Sequence, residues 1–230
     1  MNGILLVNKP LGWTSFDVVG KVRSLITKSS LNETGKKRFP VGHTGTLDPL
    51  ATGLLILLLG TYTKKATDMM KLDKAYDVTM KLGMTSTTGD EEGTKTVVNE
   101  QKPTDLEVRR ALEHYVGDIM QTPPIYSAIK IGGQRAYKLA REGREVKLEP
   151  RKASIYKIIF TDYQYPLVRF TAEVSSGTYI RSLVEDIGKE LGTGAYMSAL
   201  QRTKVGQFNI VDAIGMDNLS VDTIQASIKY

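Results

Sequence analysis

The order of apolar and polar residues predicts short strands and helices mixed along the chain. An apolar run predicts a strand at 3–9, and the run "GLLILLLG" at 53–60 predicts a second strand that is buried on both faces. At 74–83 every second residue from Tyr76 to Leu82 is apolar, which is typical of a half-buried strand with a tyrosine at one end. Two further strands, joined by a turn near Tyr165, are predicted between 154 and 176.

Helical spacing of apolar residues predicts the main helices. A first helix follows a Thr/Ser cap with Phe16, Val19, Val22 and Ile26 on its apolar face, and Thr104 opens a second. The segment 177–192 has the most regular apolar stripe and ends at a glycine. Because strands and helices follow no βαβα order, we expect an α+β fold with a mixed, largely antiparallel sheet flanked by helices and loops.

Composition limits the kinds of chemistry that the chain can use. Its 230 residues suit one large domain or one domain with a small appendage. There is no cysteine and there are only two histidines, which excludes thiolate chemistry and makes a His-rich metal site improbable. The longest apolar run is too short to span a membrane and no signal segment opens the chain, so we expect a cytoplasmic protein.

Positive charge is concentrated in two segments. Residues 130–157 carry nine Lys/Arg against three Glu, and residues 21–38 carry six against one, although the whole chain has a net charge of only +6. A partner that carries many phosphates would favour this arrangement, because each neutralised phosphate releases counterions. The simpler interpretation, a solvated surface with chance clustering, is equally compatible with the charge alone.

Asp48 is the only charged side chain between Arg38 and Lys64. In "TLDPL" it has a simple interpretation as a turn residue before proline. Its place at a loop–strand junction also suits a carboxylate nucleophile, which needs a nearby cation to stay ionised. Arg181, in the first turn of a helix, is a candidate for that cation, and a surface arginine is the alternative. Tyr76 and Tyr179 are candidates for stacking on a base, with ordinary packing as the alternative.

Three segments together resemble the bacterial tRNA pseudouridine synthase B family. They are "LLVNKPLGWTSFDVV" (Leu5–Val19), "VGHTGTLDPLATGLL" (Val41–Leu55) and "VSSGTYIRSLVEDIGKELG" (Val174–Gly192). The segments "KAYDVTMKLG" and "QTPPIYSAIKIGGQRAYKLAREG" are also similar, so the resemblance covers roughly residues 3–210. It implies a pseudouridine synthase fold with a basic, thumb-like insertion at about 121–151.

The resemblance also implies a role for each matching residue. Asp48 is implied as the nucleophile, Tyr76 as the ring that stacks on the uracil and takes part in removing its C5 proton, and Arg181 as the partner that keeps Asp48 charged. Other residues are implied as walls of the nucleotide site: His43, Tyr179 and Leu200. We expect RNA contacts from the thumb-like insertion and the first basic segment through Lys130, Arg135, Lys138, Arg141, Lys36 and Lys37.

The implied reaction converts a uridine in the TΨC loop of tRNA to pseudouridine on a flipped-out nucleotide. The isomerisation needs no cofactor and no metal, and we expect a monomer whose partner is the T arm of tRNA. We expect a catalytic domain at 1–210 and a short tail at 211–230, without the PUA-type RNA-binding domain that family members commonly carry.

Two other functions are compatible with some of these residues. The first is a tRNA-binding or folding module of the same fold without the chemistry. The second is an acid-dependent hydrolase or metal nuclease that uses Asp48 with Asp90, Glu91 or Glu92. We expect those three acids to be solvated in a polar turn, which argues against the second function.

Overall fold

Strands and helices alternate irregularly along the chain. A computed structural model of the protein describes residues 1–29, 31–32, 37–127, 129–144 and 146–230, apart from the side chain of Arg141. The first elements are β1 (Gly3–Lys9), α1 (Ser15–Thr27), β2 (Val41–His43), β3 (Ala51–Leu59), α2 (Ala66–Met70) and β4 (Lys74–Leu82). The middle elements are β5 (Met84–Ser86), β6 (Lys95–Val97), α3 (Asp105–His114), β7 (Gly117–Gln121), β8 (Lys130–Ile131), β9 (Gln134–Arg135), α4 (Ala136–Arg141), β10 (Arg151–Gln164), β11 (Leu167–Val174) and α5 (Ile180–Glu190). The last elements are β12 (Ala195–Val205), β13 (Phe208–Asn209), β14 (Ile214–Gly215) and α6 (Val221–Ser227).

The chain forms two compact units. The first unit contains Met1–Tyr76 and Leu200–Tyr230, and the second contains Asp77–Ala199. The strands β4 and β12 contribute residues to both units.

The first unit is built on a mixed set of strands in the order β14–β1–β3–β12. The pairing of β1 with β3 is antiparallel, whereas β14 runs parallel to β1 and β12 runs parallel to β3. The short strand β2 also pairs with β3, and residues 44–50 join these two strands. We call residues 44–50 the Asp48 loop.

The core of the first unit lies on both faces of β1 and β3. Leu55, Leu57 and Leu59 contribute to one buried cluster, and Leu54, Ile56 and Leu58 contribute to another. All six side chains are fully buried, which confirms the sequence prediction of a strand without a solvated face. Burial of this many apolar side chains fixes the point where the Asp48 loop ends and β3 begins.

Helix α1 begins where the sequence predicts it, but its buried face differs from the prediction at one position. Thr14 and Asp17 form a capping box at its N-terminus. The prediction that Phe16 belongs to the buried face is wrong, because Phe16 is 63% exposed and Val18 is buried in its place. The buried stripe of α1 therefore contains Val18 beside the predicted Val19, Val22 and Ile26.

The residues predicted to form a C-terminal tail are integrated into the first unit. The strand β14 pairs with β1, and Ile224 of α6 is fully buried in the same cluster as β1 and α1. The division at residue 210 stays a prediction, although the segment after it contributes directly to the core.

The second unit contains strands in the order β4–β11–β10–β7, with antiparallel pairing of β10 to both β11 and β7. Helix α5 packs its predicted stripe of Ile180, Leu183, Val184 and Ile187 inward, and Arg181 and Ser182 are buried with it. At Gly188 a Cβ atom would collide with the backbone of Ala195, so α5 can approach the start of β12 only with glycine at that position.

Parallel and antiparallel pairings in sheets flanked by helices confirm the predicted α+β class. Within the described ranges, no helix has both the length and the apolar character that crossing a bilayer requires.

Candidate active site

The Asp48 loop is held in place by hydrogen bonds to the residues on either side of the acid. Ser15 Oγ accepts from the backbone N–H of Leu47 at 2.8 Å and lies 3.0 Å from the Leu47 carbonyl, to which it donates. The backbone N–H of Gly12 donates to the Pro49 carbonyl at 2.9 Å. The segment between β1 and α1 therefore fixes the backbone around Asp48, whose side chain is half-buried.

Lys9 is a buried cation that contacts this loop. Its Nζ donates to the carbonyls of Pro10 at 3.0 Å, Trp13 at 2.6 Å and Pro49 at 3.5 Å. Burial lowers the pKa of Lys9 to about 8, against a smaller opposing effect of the Asp48 carboxylate. Lys9 thus links the segment before α1 to the residue that follows Asp48, a role that the sequence analysis missed.

Arg202 is a second buried cation in the first unit. Its guanidinium donates to the carbonyl of Gly45 in the Asp48 loop and to that of Leu54 in β3. It is also hydrogen-bonded to the phenol of Tyr76, near the start of β4. Sequence reasoning missed Arg202 too. Its position in a strand that also contains buried apolar residues could have indicated a buried charge.

Two more predicted site residues lie in strands of the first unit. His43 is the last residue of β2, and the ring of Phe16 meets its ring edge-on with centroids 5.4 Å apart. Leu200 pairs with Ala51, three residues after Asp48, and Thr52 Oγ1 donates to the Leu200 carbonyl at 3.4 Å. The predicted residues His43, Asp48, Tyr76 and Leu200 therefore belong to one unit.

Arg181 lies in the second unit, where it forms a buried ion pair. Its Nη1 is 3.6 Å from Asp90 Oδ2, and each side chain is 8% exposed. The guanidinium also donates to the carbonyls of Thr88 at 3.1 Å and Tyr126 at 2.8 Å. The alternative of an ordinary surface arginine is wrong for this residue.

The expectation that Asp90 is solvated is also wrong. Asp90 is 5% exposed, and besides Arg181 it accepts hydrogen bonds from the Thr88 hydroxyl and from the backbone N–H of Glu92. Glu91 and Glu92 are exposed, as expected. Because the Asp90 carboxylate already compensates the charge of Arg181, it is poorly suited to hold a metal ion for a nuclease reaction.

Tyr179 is the N-cap residue of α5. Its backbone N–H donates to Gln121 Oε1 at 2.8 Å, and its carbonyl accepts from Gln121 Nε2 at 3.0 Å. This two-way contact with a buried glutamine fixes the backbone of Tyr179 and leaves its ring half-buried.

The predicted thumb-like insertion contains a hairpin of β8 and β9 followed by the short helix α4. Lys130, Arg135 and Lys138 are exposed on it, as RNA contacts require, and Lys37 of the first basic segment is exposed as well. Lys36 and the side chain of Arg141 lie outside the described residues, so their predicted roles stay predictions.

Two solved structures share the fold of this protein. A chain in a Cbf5–Nop10–Gar1 complex aligns with a TM-score of 0.71 and 28% identity, covering 94% of this protein. A chain in an H/ACA ribonucleoprotein bound to a substrate RNA containing 2′-deoxyuridine aligns with a TM-score of 0.68 and 25% identity over the same share. This protein spans about half the length of those chains, 53% and 52%. The fold is therefore a pseudouridine synthase fold.

The sequence defines the family more closely. The family model of the TruB family pseudouridylate synthase N-terminal domain matches residues 33–180, and that of the tRNA pseudouridylate synthase B C-terminal domain matches residues 181–227. The tRNA pseudouridine synthase B of Clostridium novyi (strain NT) is 43% identical over 97% of this chain and 74% of its own length. That of Dechloromonas aromatica (strain RCB) is 43% identical over 95% of this chain and 70% of its own length. The chain belongs to the TruB family of pseudouridylate synthases, a family of isomerases.

The buried pair of Arg181 and Asp90 predicts a large loss of stability when the acid is neutralised. In Asp90→Asn the buried guanidinium loses a carboxylate 3.6 Å away, and removing one partner of a buried ion pair typically costs about 3–5 kcal/mol of unfolding free energy. Urea unfolding of the purified variant measures this loss.

The matched control is Asp105→Asn, which removes the acid of an exposed pair with Arg109 whose side chains are 47% and 55% exposed. Such a pair contributes about 1 kcal/mol or less. Equal losses in Asp90→Asn and Asp105→Asn would contradict a special role for burial.

Lys9 predicts a specific change of stability with pH. Its pKa is about 8 in the folded protein and about 10.4 in an unfolded chain. At a pH between these two pKa values, the Lys9 side chain is protonated in the unfolded chain but has released its proton in the folded protein. The contribution of Lys9 to the unfolding free energy therefore rises with pH over this range, and it is lost as the pH falls through 8. We expect Lys9→Met to lack this rise in urea unfolding measured from pH 7.5 to 10.5.

The control for this experiment is Lys21→Met, which removes an exposed lysine of α1. It should follow the pH dependence of the wild type. If wild type and Lys9→Met instead change in parallel over the whole range, burial does not shift the proton equilibrium of Lys9.

Proposed function

We propose that this protein converts a uridine in the TΨC loop of tRNA to pseudouridine, with Asp48 as the nucleophile. The observation that carries the proposal is the construction around Asp48. Hydrogen bonds of Ser15 and Gly12 fix the residues on both sides of an acid whose own side chain is half-buried. A turn residue without a chemical role needs no such fixed backbone, whereas a nucleophile must be held in one direction.

The reaction rearranges bonds within one nucleotide. The N1–C1′ bond breaks, the detached uracil turns, C5 bonds to C1′, and the proton lost from C5 balances the one gained at N1. Asp48 attacks C1′ or C6, and we favour C1′, because the bond that must break ends there. Tyr76 stacks on the uracil and takes part in removing the C5 proton, so its phenol has to reach that carbon.

Arg181 is proposed as the cation that keeps Asp48 ionised and oriented. Asp90 and two backbone carbonyls hold the guanidinium in a fixed direction, so it is preorganised for a second anionic partner. His43, Tyr179 and Leu200 are proposed as walls of the site. The nucleotide must leave its stack to enter it, at a cost of a few kcal/mol that stacking and phosphate contacts offset.

The proposed partner is the T arm of tRNA, bound through phosphates by the thumb-like insertion. The exposed cations Lys130, Arg135 and Lys138 support this assignment. The isomerisation consumes no electron, phosphate or external atom, so the proposal includes no cofactor. A cytoplasmic location and a monomeric state stay predictions.

The central prediction concerns Asp48→Asn. The assay incubates the protein with a T-arm stem-loop whose uridines carry tritium at C5, in the presence of EDTA, and measures tritium released into water. We expect release by the wild type on an intact RNA chain, and a loss of at least about a thousandfold in Asp48→Asn, because removal of a nucleophile eliminates the covalent step.

Asp77→Asn is the matched control, since it changes an exposed aspartate next to Tyr76 in sequence. It should keep most of the activity. RNA binding without tritium release by the wild type would favour a binding module, and EDTA-sensitive cleavage of the chain would favour a nuclease. Either result would refute the proposed reaction.

The thumb-like insertion generates a second prediction. Reversing two exposed charges, in Arg135→Glu with Lys138→Glu, should weaken binding of the T-arm stem-loop. The slope of log K against log salt should become less steep by about one for each phosphate that the variant no longer neutralises. Fluorescence anisotropy at several salt concentrations measures both effects.

Lys204→Glu supplies the control, because this lysine is exposed but lies outside both basic segments. It should leave the slope nearly unchanged. If the double variant binds like the wild type at every salt concentration, the insertion does not contact the RNA backbone.

A further inference from the structure

Arg202 is the least expected charged residue in the first unit. It is only 3% exposed, although it lies in β12 between the exposed Lys204 and the half-buried Leu200. Burying a guanidinium is costly unless its N–H groups find acceptors. The contacts of Arg202 must therefore compensate for the cost of its burial, and the groups that it contacts indicate its role in the structure.

The first contacts of Arg202 are with the backbone on both sides of Asp48. Its Nε donates to the Leu54 carbonyl at 2.8 Å, and its Nη2 donates to the Gly45 carbonyl at 3.2 Å. Leu54 belongs to β3 and Gly45 to the Asp48 loop. One planar group thus fixes the distance between the loop and the strand that follows it.

The backbone at this position is arranged for a close approach. Arg202 pairs with Gly53 in the parallel contact of β12 with β3. Gly53 has a φ of +101°, and a Cβ atom there would collide with the Arg202 backbone. Because only glycine suits both the dihedral angle and the space, the Arg202 side chain starts from a well-defined position.

The remaining contact of Arg202 is with Tyr76. The guanidinium is hydrogen-bonded to the Tyr76 phenol. Burial lowers the pKa of Arg202, and the contact with Tyr76 raises it by a smaller amount. An arginine keeps its charge even when buried. Arg202 therefore joins three chain segments: β3, the Asp48 loop and the start of β4.

We infer that Arg202 is a positioning residue that holds the Tyr76 phenol in register with the Asp48 loop. The inference rests on the proposed function, which assigns Tyr76 to removal of the C5 proton. A tyrosine near the start of a strand can rotate about its side-chain bonds, and a rigid guanidinium with two backbone acceptors restricts that rotation. Displacement of a reacting group by about 1 Å typically slows a reaction about a hundredfold.

The test separates positioning of Tyr76 from general support of the fold. Substrate with deuterium at C5 gives an isotope effect on kcat that grows when C5 proton removal becomes the slow step. We expect Arg202→Lys, which keeps the charge but loses the fork of donors, to lower kcat by about a hundredfold, to raise this isotope effect, and to leave RNA affinity near that of the wild type.

Ser15→Ala is the matched control. It removes hydrogen bonds to Leu47 and so loosens the Asp48 loop, but the contacts of Ser15 do not include Tyr76. It should lower kcat without raising the isotope effect at C5. An increase of equal size in Ser15→Ala and Arg202→Lys would show a general structural role and overturn the inference.

A second variant keeps the inference testable if Arg202→Lys fails to fold. Tyr76→Phe removes only the oxygen that Arg202 contacts and preserves the ring. Removal of the phenol affects C5 proton removal whether or not Arg202 positions it, so the readout for this variant is Arg202 itself, whose side-chain ¹⁵N signals should shift in the NMR spectrum. Unshifted Arg202 signals overturn the inference, whereas absence of tritium release by the wild type refutes the proposed function instead.

Discussion

The backbone of the Asp48 loop depends on hydrogen bonds from side chains, because residues between two strands cannot use a regular ladder. Lys9 satisfies the Pro49 carbonyl on one side of the acid, and Arg202 satisfies the Gly45 carbonyl on the other. Both donors are cations whose burial would be unfavourable without these acceptors. The loop and the two cations therefore stabilise each other.

The segment between β1 and α1 supports the Asp48 loop with further hydrogen bonds. The turn after β1 brings Gly12 to the Pro49 carbonyl and Ser15 to both backbone groups of Leu47. Its conformation is in turn held by Lys9, which donates to the carbonyls of Pro10 and Trp13. A residue far from Asp48 in sequence can therefore disturb the conformation of the Asp48 loop. The apolar strand β3 supplies the rigid end of the loop, because its side chains are buried on both faces.

Periodicity predicted the elements well where burial alone decides the structure, as in β3 and the stripe of α5. It failed at Phe16 because the apolar residues Phe16, Val18 and Val19 are compatible with more than one rotation of α1, and the exposed Phe16 ring meets His43 instead of the core. Asp90 was assigned to solvent because a polar turn normally faces water, whereas its ion pair is with Arg181, ninety-one positions later in the sequence. Lys9 and Arg202 were missed for a related reason. Most of their acceptors are backbone carbonyls, which have no signature in the sequence, and the motifs of the family imply reacting residues but not the groups that hold them.

The positive charge of the protein serves two different purposes. Lys9, Arg181 and Arg202 are buried and bind carbonyls, a carboxylate and a phenol, so they cannot contribute to a phosphate-binding surface. Lys130, Arg135 and Lys138 are exposed and can. Salt screens exposed charges over about 8–10 Å at moderate ionic strength but acts much less on buried ones. RNA binding should therefore weaken as salt increases while the internal arrangement of each unit persists, and the net charge of the chain is a poor measure of its electrostatic attraction for RNA.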